Sequence, residues 1–411
     1  MEEVFSDADL ASMSPPMRAL TQSVYTALPS PRVDTTDRLY CAAAADRVDR
    51  ISFLPPWIRR NIVSRLPIKD AVRTTVLSTR CLIAQFMRIA GTGFSTIGTS
   101  ALQRGAAFLH LKELGLCSIF MEDWHINLLL ERCPALKKLI IISNPLPVRI
   151  LVRHTKLQCI ELCTAFVPEI HLLDAPCLER LMLWQPLGTK AFYSLPMRIK
   201  FGHAPRLRIV GFLVPGMNLE IGNTKIKFET EARPHSSVQT VRMLAVQLNL
   251  SEPSMLPAFL RCFPNLETLY VQSEFDEEQH AGIIPTVKLG TKFWEKAGPL
   301  QCIQQHLIRM VFRDFQGKTS EVDFVKFIVK HAQVLETVEV FLTPRASPNQ
   351  DAATNLMEAV TSSQKANSCK LVVIRSPFAD EGNPWCHHRV RDMSIKDPFD
   401  ITKCSAGNCL E

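Results

Sequence analysis

The chain has 411 residues, too many for one ordinary compact core, which leaves two or three domains or a repeat array. Hydrophobic residues make up 46% and charged residues 21%, a balance that excludes a disordered or collagenous chain. Lys and Arg number 47 against 40 Asp and Glu, and this net charge of +7 is scattered rather than gathered in runs, so no nucleic-acid partner is assigned.

Residues 1–45 mix Ser, Pro, Thr and Ala, as in "MSPPMRAL" and "ALPSPRVDTTDR", with weak periodicity, and are expected to be a poorly ordered leader. Its first ten residues, "MEEVFSDADL", are acidic and lead into no apolar stretch of about 7–15 residues, so no secretory signal is expected. The longest aliphatic runs, such as "LIII" at 139–142, are far short of the roughly 18 residues that cross a bilayer, so no membrane partner is assigned. The expected setting is intracellular, cytoplasmic and/or nuclear.

From Asp49 the pattern changes. Ile58, Ile62, Val63 and Leu66 fall at helical spacing, and Pro67 stops the turn. Asp70 can cap a second helix whose Val72, Val76 and Leu77 share a stripe and which continues into "CLIAQFMRI". About 40 residues of small helices cannot bury those stripes alone. They pack either on the rest of the chain or on a partner.

Beyond residue 105 the pattern L-x-x-L-x-L recurs, with other aliphatics or Phe substituting. It begins at Leu111, Leu136, Leu157, Leu178, Leu207, Val238, Leu266, Leu307 and Leu335. Successive starts lie 21 to 31 residues apart with one step of 41, close to the period of about 20–29 residues typical of leucine-rich repeats. Several units follow a Pro, as in "CPALKKL", "APCLERL" and "APRLRIV", which closes the preceding turn and delivers an extended strand. Each strand must stack on the next to cover its inward side chains. A sandwich of short strands is the alternative, but its Asn-Gly and Asp-Gly hairpin signals are absent.

The 13 cysteines sit in apolar segments with no C-x-x-C and read as reduced core residues. "WCHH" at 385–388 and the Cys404/Cys409 pair in "CSAGNC" form an irregular set, so neither metal nor cofactor is assigned. There is no Gly-rich phosphate loop, no H-E-x-x-H and no G-x-S-x-G, and His125 and Cys133 read as core or turn residues. No catalytic residue is expected.

The stretch "DRISFLPPWIRRNIVSRLPIKDAVRTTVLSTR", Asp49 to Arg80, resembles the F-box: Asp49-Arg50-Ile51-Ser52, Leu54-Pro55, Leu66-Pro67, Lys69-Asp70-Ala71-Val72 and Val76-Leu77-Ser78 stand where that pattern wants them. "CIQQHLIRMVFRDFQGKTSEVDFVKFIVKHAQVLETVEV", Cys302 to Val340, resembles the FBD region, and the whole chain resembles the plant F-box/leucine-rich-repeat/FBD family. The resemblance implies an α/β chain in which a short helical F-box is followed by an irregular leucine-rich-repeat solenoid with a C-terminal FBD region. The expected boundaries are leader 1–45, F-box 46–90, repeats 105–290, FBD region 291–380 and tail 381–411.

It also implies a non-catalytic substrate adaptor of a Skp-cullin-F-box ubiquitin ligase. Leu54, Pro55, Ile58, Ile62, Leu66, Pro67, Val72, Val76 and Leu77 would dock on a Skp-type linker and through it a cullin, while the repeats hold a target protein. Cys81 stands where the family usually has Trp, which leaves open a repeat scaffold not coupled to ubiquitin. In an L-x-x-L-x-L strand the residues between and after the inward positions line the concave face, which nominates Glu161, Met182, Trp184, Arg242 and Tyr270 for target binding. "VDFVKFIVKHA" has Val322, Phe324, Val325 and Ile328 as buried candidates of a helix that caps the end of the solenoid.

Overall fold

The computed structural model describes residues 86–90, 107–117, 119–142, 144, 146–163, 165–184, 197–214, 217–222, 224–226, 236–248, 256–273, 294, 298–343, 354, 356–358, 369–375 and 387–400. In chain order these form β1 Phe86–Ala90, β2 Glu113–Cys117, α1 Asp123–Arg132, β3 Lys138–Ile142, β4 Arg149–Arg153, β5 Cys159–Cys163, β6 Glu169–Asp174, β7 Arg180–Trp184, β8 Arg198–His203, β9 Ile209–Leu213, β10 Asn218–Ile221 and β11 Thr224–Ile226. Then come β12 Met243–Leu248, α2 Leu256–Cys262, β13 Thr268–Ser273, α3 Gln301–Gln305, β14 Arg309–Phe315, α4 Thr319–His331, β15 Thr337–Leu342, β16 Lys370–Arg375 and α5 His387–Arg391.

The main sheet is parallel throughout and has 11 strands in the order β1-β2-β3-β5-β7-β9-β12-β13-β14-β15-β16. Its inward side chains stack in register from one unit to the next. One row runs Leu114, Leu139, Ile160, Leu181, Val210, Leu244, Leu269, Met310 and Val338, all fully buried. An aliphatic ladder of this kind is what an L-x-x-L-x-L repeat must build, because no unit covers its own strand. The prolines act as expected: the Leu136, Leu178 and Leu207 amides donate to the carbonyls of Cys133, Ala175 and Ala204 at 3.0, 3.0 and 3.1 Å, closing turns with Pro at the second position.

Three local departures matter. The second helix expected to run through "CLIAQFMRI" is replaced at Phe86–Ala90 by β1, which pairs residue for residue with β2. The ladder bonds that β2 offers are available only to an extended partner, and tertiary pairing overrides the local helical pattern. The sixth unit runs three residues later than its spacing suggests: Val241, Leu244 and Val246 point inward, and Val238 only packs against the core's edge. In the fifth unit the register to β12 shifts, Leu213 takes the core place expected of Phe212, and Phe212 turns to the opposite face.

A second sheet, ordered β11-β10-β8-β6-β4, closes the core from the other side. Ile150, Val152, Ile170, Leu172, Ile199, Phe201, Leu219 and Ile221 face inward at every second position. At the open edge, β4 is covered by α1: Asp123 Oδ1 accepts from the Arg149 amide at 2.7 Å and Asn127 Oδ1 from the Leu151 amide at 3.3 Å. In α4, Phe324, Val325 and Ile328 are buried and Val322 packs beside them. Among the described residues no helix is long and apolar enough to cross a membrane.

Candidate functional site

Three neighbouring strands of the main sheet, β5, β7 and β9, are buried on both faces at every position. A strand buried on both sides needs two covers. The second cover is the segment Arg389–Asp400, which lies across the face of the main sheet turned away from the core. There Ile140, Ile142, Cys159, Cys163, Met182, Trp184, Ile209, Phe212, Ala245, Tyr270, Val311 and Phe341 make a second apolar cluster with Val390 and Phe399.

Sheet side chains hold this segment mainly by its backbone. Arg180, the first residue of β7, donates through Nη1 to the carbonyls of Arg389 at 3.2 Å, Val390 at 2.7 Å and Asp392 at 3.1 Å, and through Nη2 to that of Ile395. Arg313 on β14 donates to the Phe399 carbonyl and lies over the Tyr270 ring at 5.2 Å. The Cys159 thiol points to the Val390 carbonyl at 3.8 Å. At one end Arg391 reaches Glu113 at 3.0 Å, and Lys138 reaches the same carboxylate at 3.4 Å.

At the other end Asp397 is the focus. Its Oδ2 accepts from the Tyr270 hydroxyl at 2.7 Å and from Arg309 at 2.8 Å, while Oδ1 accepts the Phe399 amide at 3.1 Å. Arg309 is also a two-pronged donor to Glu339, at 2.9 Å on each oxygen. The Phe399 ring stands edge-on to Phe212 at 5.3 Å and tilted on Tyr270 at 5.2 Å. Burial, reinforced by Asp397, pushes the Tyr270 hydroxyl's pKa up, so it stays a donor.

Glu161 and Met182 are neighbours on paired strands of this face, Trp184 stands opposite Cys163 one register further on, and Tyr270 lies further along the sheet. The structure gathers these four on one face and covers them: Glu161 and Met182 are 0% exposed, Tyr270 1% and Trp184 6%. Arg242 stands apart. It precedes β12, is exposed at the sheet's end, and pairs with Glu267 at 3.3 Å.

The linker-docking residues Leu54, Pro55, Ile58, Ile62, Leu66, Pro67, Val72, Val76 and Leu77 lie outside the described residues, as do Cys81, Cys386, Cys404 and Cys409. Cys133, Cys159, Cys163, Cys177, Cys262, Cys302 and Cys369 carry no disulfide, and burial pushes the thiols of Cys133, Cys159, Cys262 and Cys302 up to about 12. The residues that sequence reasoning misses are Arg180, Arg309, Arg313, Asp397 and Phe399. The cover has a signal in the sequence: "LIII" is apolar throughout, and "CIELC" and "RLMLW" carry a single charged residue each instead of alternating, the mark of a strand with no solvent face.

No curated protein matches the chain at a significant level. Two family models do match. One, described as FBD-associated F-box protein, LRR repeats, spans residues 40–271, and the other, FBD, spans residues 295–340, which covers α3, β14, α4 and most of β15. The first alone takes in more than half of a chain whose described residues build a parallel repeat solenoid, and so the chain belongs to the FBD-associated F-box proteins with leucine-rich repeats.

Proposed function

We propose that the protein is the substrate-recognition subunit of a Skp-cullin-F-box E3 ubiquitin ligase, working inside the cell. The observation that carries this reading is the order of parts: an F-box-like segment precedes repeats that run without a break into the FBD region as one sheet. A repeat sheet of this length offers a platform for a protein target. The F-box-like segment supplies an apolar surface for a Skp-type linker and through it a cullin. The mechanism is proximity: tethering raises the effective concentration of target lysines near a charged ubiquitin-conjugating enzyme, so the adaptor itself needs no catalytic residue.

In this reading Leu54, Pro55, Ile58, Ile62, Leu66, Pro67, Val72, Val76 and Leu77 contact the linker. The target meets the repeats through the face that carries Glu161, Met182, Trp184 and Tyr270, with Arg242 at its rim. Leu54→Asp or Ile62→Asp places a charge in the apolar contact and is expected to abolish retention of a Skp-type linker in a pull-down with the intact chain. Unchanged retention would remove those residues from the interface.

A second reading rests on Cys81: a repeat scaffold that binds a partner without coupling it to ubiquitin. Losing an aromatic that would cover about 150–250 Å² weakens the end of the linker surface. If the natural chain fails to retain the linker where a Cys81→Trp variant succeeds, the scaffold reading holds for this chain.

A further inference from the structure

The segment Arg389–Asp400 is held as a peptide ligand is held. Most of the contacts from the sheet go to its carbonyl groups, at Arg389, Val390, Asp392, Ile395 and Phe399, which any chain in the same conformation presents. Sequence is read at few points, chiefly the Asp397 carboxylate between Arg309 and Tyr270 and the Phe399 ring between Phe212 and Tyr270. The segment also carries its own folding. Ser394 turns back on Asp392 at 2.6 Å, the Phe399 amide closes on Asp397, and Arg389 Nη2 donates to the Asp397 carbonyl at 3.0 Å. It can therefore leave the sheet as one piece. Only 13 residues separate it from β16, so it competes for the face at the high effective concentration of a short tether.

We propose that this face is a peptide-binding site which the chain keeps filled with its own Arg389–Asp400, and that a target enters it with a turn-forming segment bearing a carboxylate two residues before an aromatic. The proposal rests on the protein-binding role of the repeats and adds what the target must carry. Charge at the Asp397 position favours such a segment, since Arg309 donates to the Tyr270 hydroxyl that marks the carboxylate position and Arg313 lies over the same ring. An apolar segment would fill the cluster but leave Arg309 without its second carboxylate. The resident segment acts as a gate: a chance contact cannot displace it, whereas a target with both anchors can.

The test uses the intact chain and a fluorescently labelled peptide of residues 389–400. Asp397→Ala with Phe399→Ala in the intact chain weakens the resident and leaves the sheet's own side chains untouched. By anisotropy this variant is expected to bind the labelled peptide at least about tenfold more tightly than the unsubstituted chain does, and a peptide carrying the same two alanines to bind it at least about tenfold more weakly. Equal binding of the two peptides overturns the proposal, as does binding of neither by a variant that keeps its circular dichroism and thermal transition. Hydrogen exchange on the unsubstituted protein covers the case in which the variant does not fold. Amides of 393–400 are expected to exchange at least about tenfold faster than those of β7 and β13, and exchange in step with those strands would make the segment a fixed part of the fold and sink the idea. Linker retention is scored separately on the same proteins. A chain that keeps the linker but not the peptide refutes only this inference, and one that keeps the peptide but not the linker refutes only the ligase reading.

Discussion

Arg309 holds three acceptors at once, and they offset what burial costs its charge. Burial works against the guanidinium, but the two-pronged bond to Glu339, the Tyr270 hydroxyl and Asp397 outweigh it and raise its pKa. Replacing it by Met leaves the carboxylates of Glu339 and Asp397 facing an apolar chain, whereas Lys keeps a charge but not the fork. Arg309→Met is therefore expected to cost about 2–4 kcal/mol in urea unfolding and Arg309→Lys about half as much. His154 sets a pH dependence at the same scale. Its Nδ1 accepts the Lys156 amide at 3.2 Å and its Nε2 faces the Cys133 carbonyl at 2.9 Å, the arrangement of a neutral ring, and burial holds its pKa below 6.5. The unfolded chain then takes up a proton before the folded one does, so the contribution of His154 to stability is complete above about pH 6.5 and falls as the pH drops below it. The same burial lowers the pKa of His125. Unfolding free energies measured from pH 8 to 5 should decline less steeply below about pH 6.5 for His154→Gln than for the natural chain.

Among the elements, β9 shows how far sequence alone reaches. Leu207 and Val210 read correctly as core positions, but the third place passes to Leu213, because Gly211 comes so close to β12 that a Cβ there would lie 2.5 Å from the Ala245 Cβ. That approach depends on a neighbour 34 residues away in the chain, which the spacing of one unit does not contain. Gly211→Ala is expected to cost about 1–3 kcal/mol and to be visible as a lowered thermal midpoint. The second sheet is legible in its period: "RILVR" and "RIKFGH" alternate apolar and polar residues, a period of two that marks strands with one wet face. Helix α4 is legible in the sequence because its amphipathic stripe is local. Its start depends on a residue whose role is not local: Glu321 accepts from the amides of Gln316 at 2.9 Å and Lys318 at 3.1 Å, and from the Ser273 hydroxyl of β13 at 2.6 Å. Glu321→Ala strands three donors, two of them at the helix entrance, and should cost about 2–3 kcal/mol in urea unfolding.

At the scale of the whole molecule, the repeats are legible because each unit writes the same inward positions, while the cover on the far face is not. Arg180 meets the Ile395 carbonyl across 215 positions, and nothing in "RDMSIKDPFD" has a period that would announce a docked segment. Glu161, Met182, Trp184 and Tyr270 fall on one face, as strand alternation requires, but alternation gives the direction of a side chain and not what covers it. The second sheet carries a different lesson, at its β4 edge. A strand edge with open amides is a template for another chain, and here Asp123 and Asn127 of α1 occupy the Arg149 and Leu151 amides while Leu151 stands exposed beside them. Asp123→Ala with Asn127→Ala should leave the fold intact and shift the protein toward larger species in concentration-dependent size-exclusion runs. Two short polar side chains thus set where the molecule stops: without them the second sheet has a growing end, and the next strand it accepts comes from another molecule.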